Sequence, residues 1–274
     1  MYRRKFVKAV GSGLALGTVA SRLSFAKASP SSSHIAIGTQ AKPTLALDGL
    51  MIAHGDRCKT AGLLQAAYDH GIRYIDTSMT HIAGRSERRI GRFLENRKRD
   101  QFFVQSRLKV RRKEVATSEL ELSLARLRTD YLDAFLLDTE VRNKIDDQFE
   151  IPDENTFEAL IEAKEAGKIR KIGLRGFEES EQLDRLLKLY GEHVEIVMIP
   201  FGMGDDTKLM RQAQRYGFDL IAEGDRKLQQ QIFTDKAGVD QLPKGLSSWV
   251  VSFTDPKTFK DIIGRFDELA GGAA

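Results

Sequence analysis

The run Ile72–Glu87, IRYIDTSMTHIAGRSE, decides how this chain is read. Ile72, Tyr74 and Ile75 are strand formers, and the run then turns to Asp76-Thr77-Ser78, residue types that stop strands and face solvent. An ionisable Asp at the carboxyl end of a strand is where α/β barrels keep their chemistry. Gly84 and Ser86-Glu87 then open a helix, with Ser86 as the predicted N-cap.

Outward from this run, strand and helix signals alternate. Upstream, Leu45 to Ala53 reads as a strand ending at His54-Gly55, and Ala61 to Asp69 as a helix closed by Gly71. Downstream, strands are predicted at 101–107, 131–137, 169–174, 194–200, 218–222 and 249–253. Helices fall between and after them at 86–96, 114–127, 155–166, 180–190, 207–216, 226–233 and 256–269. Thr139 to Asp153 reads as a polar, acidic loop. Eight strands alternating with eight helices predict a (β/α)8 TIM barrel over residues 44–274. The alternative, an open doubly wound sheet, calls for a Gly-rich turn after the first strand. His54-Gly55-Asp56-Arg57-Cys58 supplies one glycine.

Charge and cysteine content exclude several classes. The formal net charge of +4 rests on the first 28 residues, where Arg3, Arg4, Lys5, Lys8, Arg22 and Lys27 meet no acid. Without them the body is −2, which makes no case for nucleic acid. Cys58 is the single cysteine, so neither an internal disulfide nor a cluster held by several thiolates is expected.

The amino terminus reads as an address. Tyr2-Arg3-Arg4-Lys5-Phe6-Val7-Lys8 resembles the twin-arginine export motif. A glycine-interrupted apolar run, Ala9 to Ala20, and the small-residue pattern Ala26-Lys27-Ala28 follow. The expectations are a cleaved signal peptide (1–28), a spacer (29–43) and a periplasmic or extracellular barrel. The export machinery is its first partner, and no membrane span remains after cleavage.

Three segments carry a family resemblance. ALDGLMIAH…AAYDHGIRYIDTS…GRSERRIGRFL (Ala46–Leu94), LELSLARLRTDYLDAFLLD (Leu120–Asp138) and FEALIEAKEAGKIRKIGLRGF (Phe157–Phe177) resemble an aldo-keto reductase, in the right order and at the right spacing. The resemblance implies NADPH-dependent reduction of aldehydes and ketones through an Asp, Tyr, Lys and His tetrad. The tyrosine gives the proton, and the lysine, paired to the aspartate, lowers its pKa. Asp76 matches the aspartate. His81 stands at the tyrosine position, Arg107 at the lysine and Asp138 at the histidine. At the cofactor positions Arg175 and Gly176 replace the serine–asparagine pair that holds the nicotinamide amide. Met198 replaces a glutamine, and Glu223 the aromatic residue that stacks on the nicotinamide. Phe253 replaces the phosphate-cradling glycine, while Thr254-Asp255-Pro256 keeps that loop's character. The stretch Lys227–Ser248, in the seventh βα unit, is compressed, and the family's closing tail is not expected after the last helix.

These residues predict a charged barrel mouth of His54, Asp76, His81, Arg107, Asp138, Arg175 and Glu223, with Asp76–Arg107 and Arg175–Glu223 as ion pairs. Three functions compete. The first is an exported family member that binds a small-molecule ligand, or does altered chemistry, without standard hydride transfer. The second is a working NAD(P)H-dependent reductase with His81 as acid, Arg107 opposing its charge and Asp138 restoring it. The third is a metal- or acid–base-dependent hydrolase or lyase. His54, Asp76, His81 and Asp138 match no recognised metal-ligand spacing, so no metal site is assigned. A monomer is expected.

Overall fold

The computed structural model describes residues 43–109, 112–138, 154–176, 180–201, 210–212, 215–224, 226–234 and 245–271. The expected signal peptide, the expected spacer to residue 42 and the stretch Thr139–Asp153, read from sequence as an acidic loop, lie outside them. So do parts of the predicted helix Thr207–Tyr216 and of the compressed stretch after β7.

Eight strands form a closed parallel barrel in chain order: β1 (Thr44–Asp48), β2 (Tyr74–Asp76), β3 (Phe103–Leu108), β4 (Leu132–Asp138), β5 (Ile169–Arg175), β6 (Val194–Phe201), β7 (Asp219–Gly224) and β8 (Leu246–Val251). β1 closes the ring by pairing with both β2 and β8. The helices are α1 (Gly49–Ala53), α2 (Arg57–Asp69), α3 (Arg85–Leu94), α4 (Lys113–Leu127), α5 (Glu154–Glu165), α6 (Ser180–Tyr190), α7 (Arg226–Gln229, continuing as a π-helical turn to Thr234) and α8 (Phe259–Gly271).

Strand periodicity builds two cores. Successive side chains point to opposite faces. One set (Leu47, Ile75, Val104, Phe135, Leu137, Val197, Ile199, Trp249) joins the helices in the larger core. The other set (Ala46, Tyr74, Phe103, Ala134, Leu136, Ile196, Met198, Ile221, Val250) fills the barrel interior. The same alternation carries the interior set on to the strand ends. Two residues beyond Ala46, Tyr74, Leu136 and Ile221 stand Asp48, Asp76, Asp138 and Glu223. An apolar plug thus lies beneath a charged mouth.

Three local expectations change. The strand predicted over Leu45–Ala53 stops at Asp48, whose side chain N-caps α1 by accepting from Leu50 N at 2.7 Å. Asp–Gly is a turn signal that outweighs the apolar residues Leu50 to Ala53. Those residues pack as a helix whose C-cap is His54, so His54 follows a helix and is exposed. The N-cap of α3 is Gly84, left-handed at φ 72°, with no side-chain cap. Ser86 lies inside the helix, buried, and its Oγ accepts from Thr77 Oγ1 at 2.8 Å. Lastly, β8 runs Leu246–Val251, so Phe253 lies past the strand. There it is fully buried and stacked on Phe259 at 4.0 Å between ring centroids.

Candidate functional site

The loop after β2 presents His81. Ile82, Ala83 and Gly84 are all left-handed, with φ of 51°, 50° and 72°. For a β-branched residue such as Ile82 this backbone is strained, at about 1–2 kcal/mol. The turn is held by Gly84 N donating to Met79 O at 2.6 Å and His81 N donating to Ser78 O at 3.1 Å. Behind it, Glu87 is fully buried; its carboxylate accepts from Ser106 Oγ at 2.8 Å and Arg126 Nη1 at 3.2 Å. The loop is thereby fastened to β3 and α4.

The mouth is an alternating chain of charges. Arg107 Nη2 donates to Asp76 Oδ2 at 2.9 Å, and Arg107 Nη1 approaches both Glu223 oxygens at 3.3 Å. Arg175 Nε donates to Glu223 Oε2 at 2.7 Å, and its Nη1 reaches both oxygens of Asp138 at 3.2 Å. Acid and base therefore alternate as Asp76, Arg107, Glu223, Arg175, Asp138. The paired signs expected at Asp76–Arg107 and Arg175–Glu223 both meet, and Arg107–Glu223 joins the two pairs.

Each group's protonation follows from its neighbours. Burial works against the charge of Glu223, but Arg107 and Arg175 outweigh it and hold the carboxyl at about 2. Burial also works against Arg107, where Asp76 and Glu223 prevail and push the pKa up. Asp76 is the loser. It is fully buried, and burial exceeds the help of Arg107, while Glu223 and Asp48 repel its charge, so its pKa rises to about 7. Gln105 answers with a hydrogen bond to Asp76 Oδ1 at 2.7 Å, and Tyr74 donates to Gln105 Oε1 at 2.6 Å. Burial, then the Asp76 charge, puts Tyr74 well above the ordinary phenol range. Tyr74 therefore does not replace the missing tuned tyrosine.

His81 is neutral. Burial first, then Arg107, pulls its pKa down to about 3; Arg175 and His54 act in the same direction, and the opposing charge is that of Glu223. The expectation that Asp138 restores an imidazolium is corrected, because Asp138 is engaged by Arg175. The contact of Arg107 Nη2 with His81 Nε2 at 3.1 Å also fixes the tautomer. A guanidinium only donates, so Nε2 accepts and the ring proton sits on Nδ1. That Nδ1 is buried without a partner among the described residues.

Thr254 is not part of this cluster. It is exposed and lines a cavity of about 550 Å³ with Lys227, Gln230, Ser252, Thr258 and Phe233. Ser252 links cavity and mouth, because its Oγ donates to Asp48 Oδ2. Asp48 and Gln105 are site residues that sequence reasoning passed over. Asp48 was masked by the overlong first strand. Gln105 was legible as the residue two before Arg107 on the same strand face. Among the described residues, no group of three or more His, Cys, Asp or Glu side chains is placed to hold a metal ion.

The model of the aldo/keto reductase family matches residues 49–248 of this chain. The chain belongs to the aldo/keto reductase family. Aldo-keto reductase YhdN of Bacillus subtilis (strain 168) is 33% identical over 152 residues, covering 52% of this chain and 44% of that protein. D-threo-aldose 1-dehydrogenase of a Pseudomonas species is 47% identical over 45 residues, 16% of this chain and 14% of that protein. The chain matches about half the length, or less, of these curated relatives. The barrel superposes on an aldo-keto reductase from Klebsiella pneumoniae, solved in complex with NADPH, with a TM-score of 0.67. Identity there is 22%, over 84% of this chain and 88% of that one. At that identity the likeness is one of fold.

Proposed function

We propose that this chain is an exported member of the aldo/keto reductase family that does not perform NADPH-dependent carbonyl reduction, and that its mouth and adjoining cavity bind a small polar ligand. The observation that carries this reading is the Glu223 carboxylate clamped between Arg107 and Arg175. It stands where the family resemblance implies an aromatic face for the nicotinamide. A carboxylate held by two guanidiniums puts charge where that aromatic face would be. The phosphate end fits no better. Asp255 caps the short helical turn Pro256–Thr258 by accepting from Lys257 N at 2.9 Å. An acid therefore already holds an amide that a phosphate would use. The residues present do not fit the dinucleotide.

The acid–base positions support the same reading. A neutral imidazole with a pKa near 3 lacks the imidazolium proton that a general acid would give at neutral pH. Among the described residues no acidic, His or Cys cluster favours the metal-dependent form of the hydrolase or lyase. The cavity supports a ligand role, because Lys227, Gln230, Ser252, Thr254 and Thr258 offer donors and acceptors around apolar Phe233.

Titration of the full chain with NADPH, followed by cofactor fluorescence, tests this. No saturable change is expected up to millimolar cofactor, and micromolar binding would overturn the proposal. Export is tested by Arg3→Lys with Arg4→Lys, which is expected to abolish appearance of the chain in the periplasmic fraction. Unchanged export would refute the twin-arginine route.

A further inference from the structure

Between residues 49 and 99 the chain holds ten Lys and Arg against five Asp and Glu, inside a body whose net charge is −2. The rest of the body is thus net acidic. Two of the five acids, Asp76 and Glu87, are buried and paired inward to Arg107 and Arg126. The exposed excess gathers on the start of α2 and on α3, where Arg57, Lys59, Arg85, Arg88 and Arg92 are all exposed. On α3, positions 85, 88, 89 and 92 share one face at helical spacing. At the centre of the group, Arg89 is tied down by donating to the carbonyls of Ile52, Ala53 and Gly55. Partial burial and then Arg85 depress its pKa; Arg57 and Arg92 add to this, and Asp56 opposes them. These side chains therefore lie within electrostatic reach of one another. Arg57, Arg85 and Arg92 make no side-chain hydrogen bond or ion pair among the described residues.

We propose that this arginine face docks the protein peripherally on an anionic lipid surface. Its form argues for an extended charged plane. Cavities of about 550, 380 and 190 Å³ are lined by other residues, so none of these three opens on this face. The exposed large apolar residues, Leu122, Leu189 and Tyr216, lie elsewhere, so it lacks the apolar anchors of a protein–protein hot spot. Clustered guanidiniums on one helix face are what anionic headgroups attract, additively and within a Debye length. The charge asymmetry orients the molecule, with this quadrant toward the surface and the acidic remainder away from it. No described helix is long and apolar enough to cross a membrane, so the attachment is electrostatic and reversible. In a parallel barrel α2 and α3 start on the side of the strand carboxyl ends, so Arg57 and Arg85 would hold the rim of the mouth near the lipid.

Co-sedimentation of the full chain with vesicles tests the proposal. Every sample carries Arg3→Gln, Arg4→Gln, Lys5→Gln, Lys8→Gln, Arg22→Gln and Lys27→Gln, so that the amino-terminal cations contribute nothing. Binding to phosphatidylglycerol–phosphatidylcholine vesicles is expected, with none to phosphatidylcholine alone and loss at about 0.5 M salt. Adding Arg57→Gln, Arg85→Gln and Arg92→Gln should lower partitioning about a hundredfold. Removing three exposed charges elsewhere, by Lys188→Gln, Arg215→Gln and Lys260→Gln, should leave it unchanged. Circular dichroism checks that each variant stays folded. Equal loss in both triple variants, equal binding to neutral vesicles, or binding to polyglutamate without binding to vesicles would each overturn the proposal, the last by assigning the face to an acidic protein.

Discussion

Asp76 and His81 sit on the same guanidinium yet titrate in opposite directions, and their opposition can be measured. Asp76 rises from an ordinary 3.8 to about 7, so the folded chain keeps a proton there that the unfolded chain releases above pH 3.8. This contribution to stability is complete below that pH and is lost as pH rises toward 7. His81 falls from 6.5 to about 3, so the unfolded chain binds a proton below pH 6.5 that the folded chain refuses. Its contribution is complete above pH 6.5 and is lost as pH falls toward 3. Between pH 4 and 6.5 the two slopes are one proton each and cancel. At roughly 1.4 kcal/mol per pH unit, each is worth about 3 kcal/mol across that window. Relative to the parent chain, Asp76→Asn should lose about 3 kcal/mol between pH 6.5 and 4, exposing the His81 slope. His81→Leu should gain about as much over the same interval. Urea unfolding of the three proteins at half-unit steps reads both slopes, and titrations common to all three drop out of the differences. Difference curves that are flat, or that run in the same direction for both variants, would refute the assignment of a protonated Asp76 beside a neutral His81.

Two further outcomes follow from the site. Arg175→Met removes a partner of both Glu223 and Asp138 and should cost about 2–3 kcal/mol; the double variant with Glu223→Met should cost less than the sum of the singles, and strict additivity in denaturant melts would show that the pair is not coupled. Ile82→Gly relieves the left-handed strain of the His81 loop, offset by the greater freedom of unfolded glycine, and should raise stability by about 0.5–1 kcal/mol; a loss of stability would show that the Ile82 side chain matters more than its backbone.

The sequence alone determined the barrel, because its signals are local. Strand alternation and helical spacing are written in neighbouring residues, so seven of the eight strands and the helices from α2 to α6 were legible to within a few residues, while the first strand was read through Ala53 instead of stopping at Asp48. Asp76, Arg107, Asp138, Arg175 and Glu223 were legible as strand-end residues for the same reason. Local reading failed where two local signals competed. At Asp48-Gly49 a turn overrode an apolar run, which placed His54 at the mouth in place of Asp48. Ser86 looked like a cap because its burial against Thr77 comes from β2 and cannot be seen along α3. What only the tertiary structure decided is which charges meet and which of them keep their protons. Arg107 and Glu223 are 116 residues apart, and nothing along the chain says that barrel closure brings them together. That meeting gives Glu223 two guanidiniums, leaves Asp76 underpaid for its burial and strips His81 of its charge. Protonation depends on the summed field of every strand end at the mouth, and that field exists only once the barrel is closed.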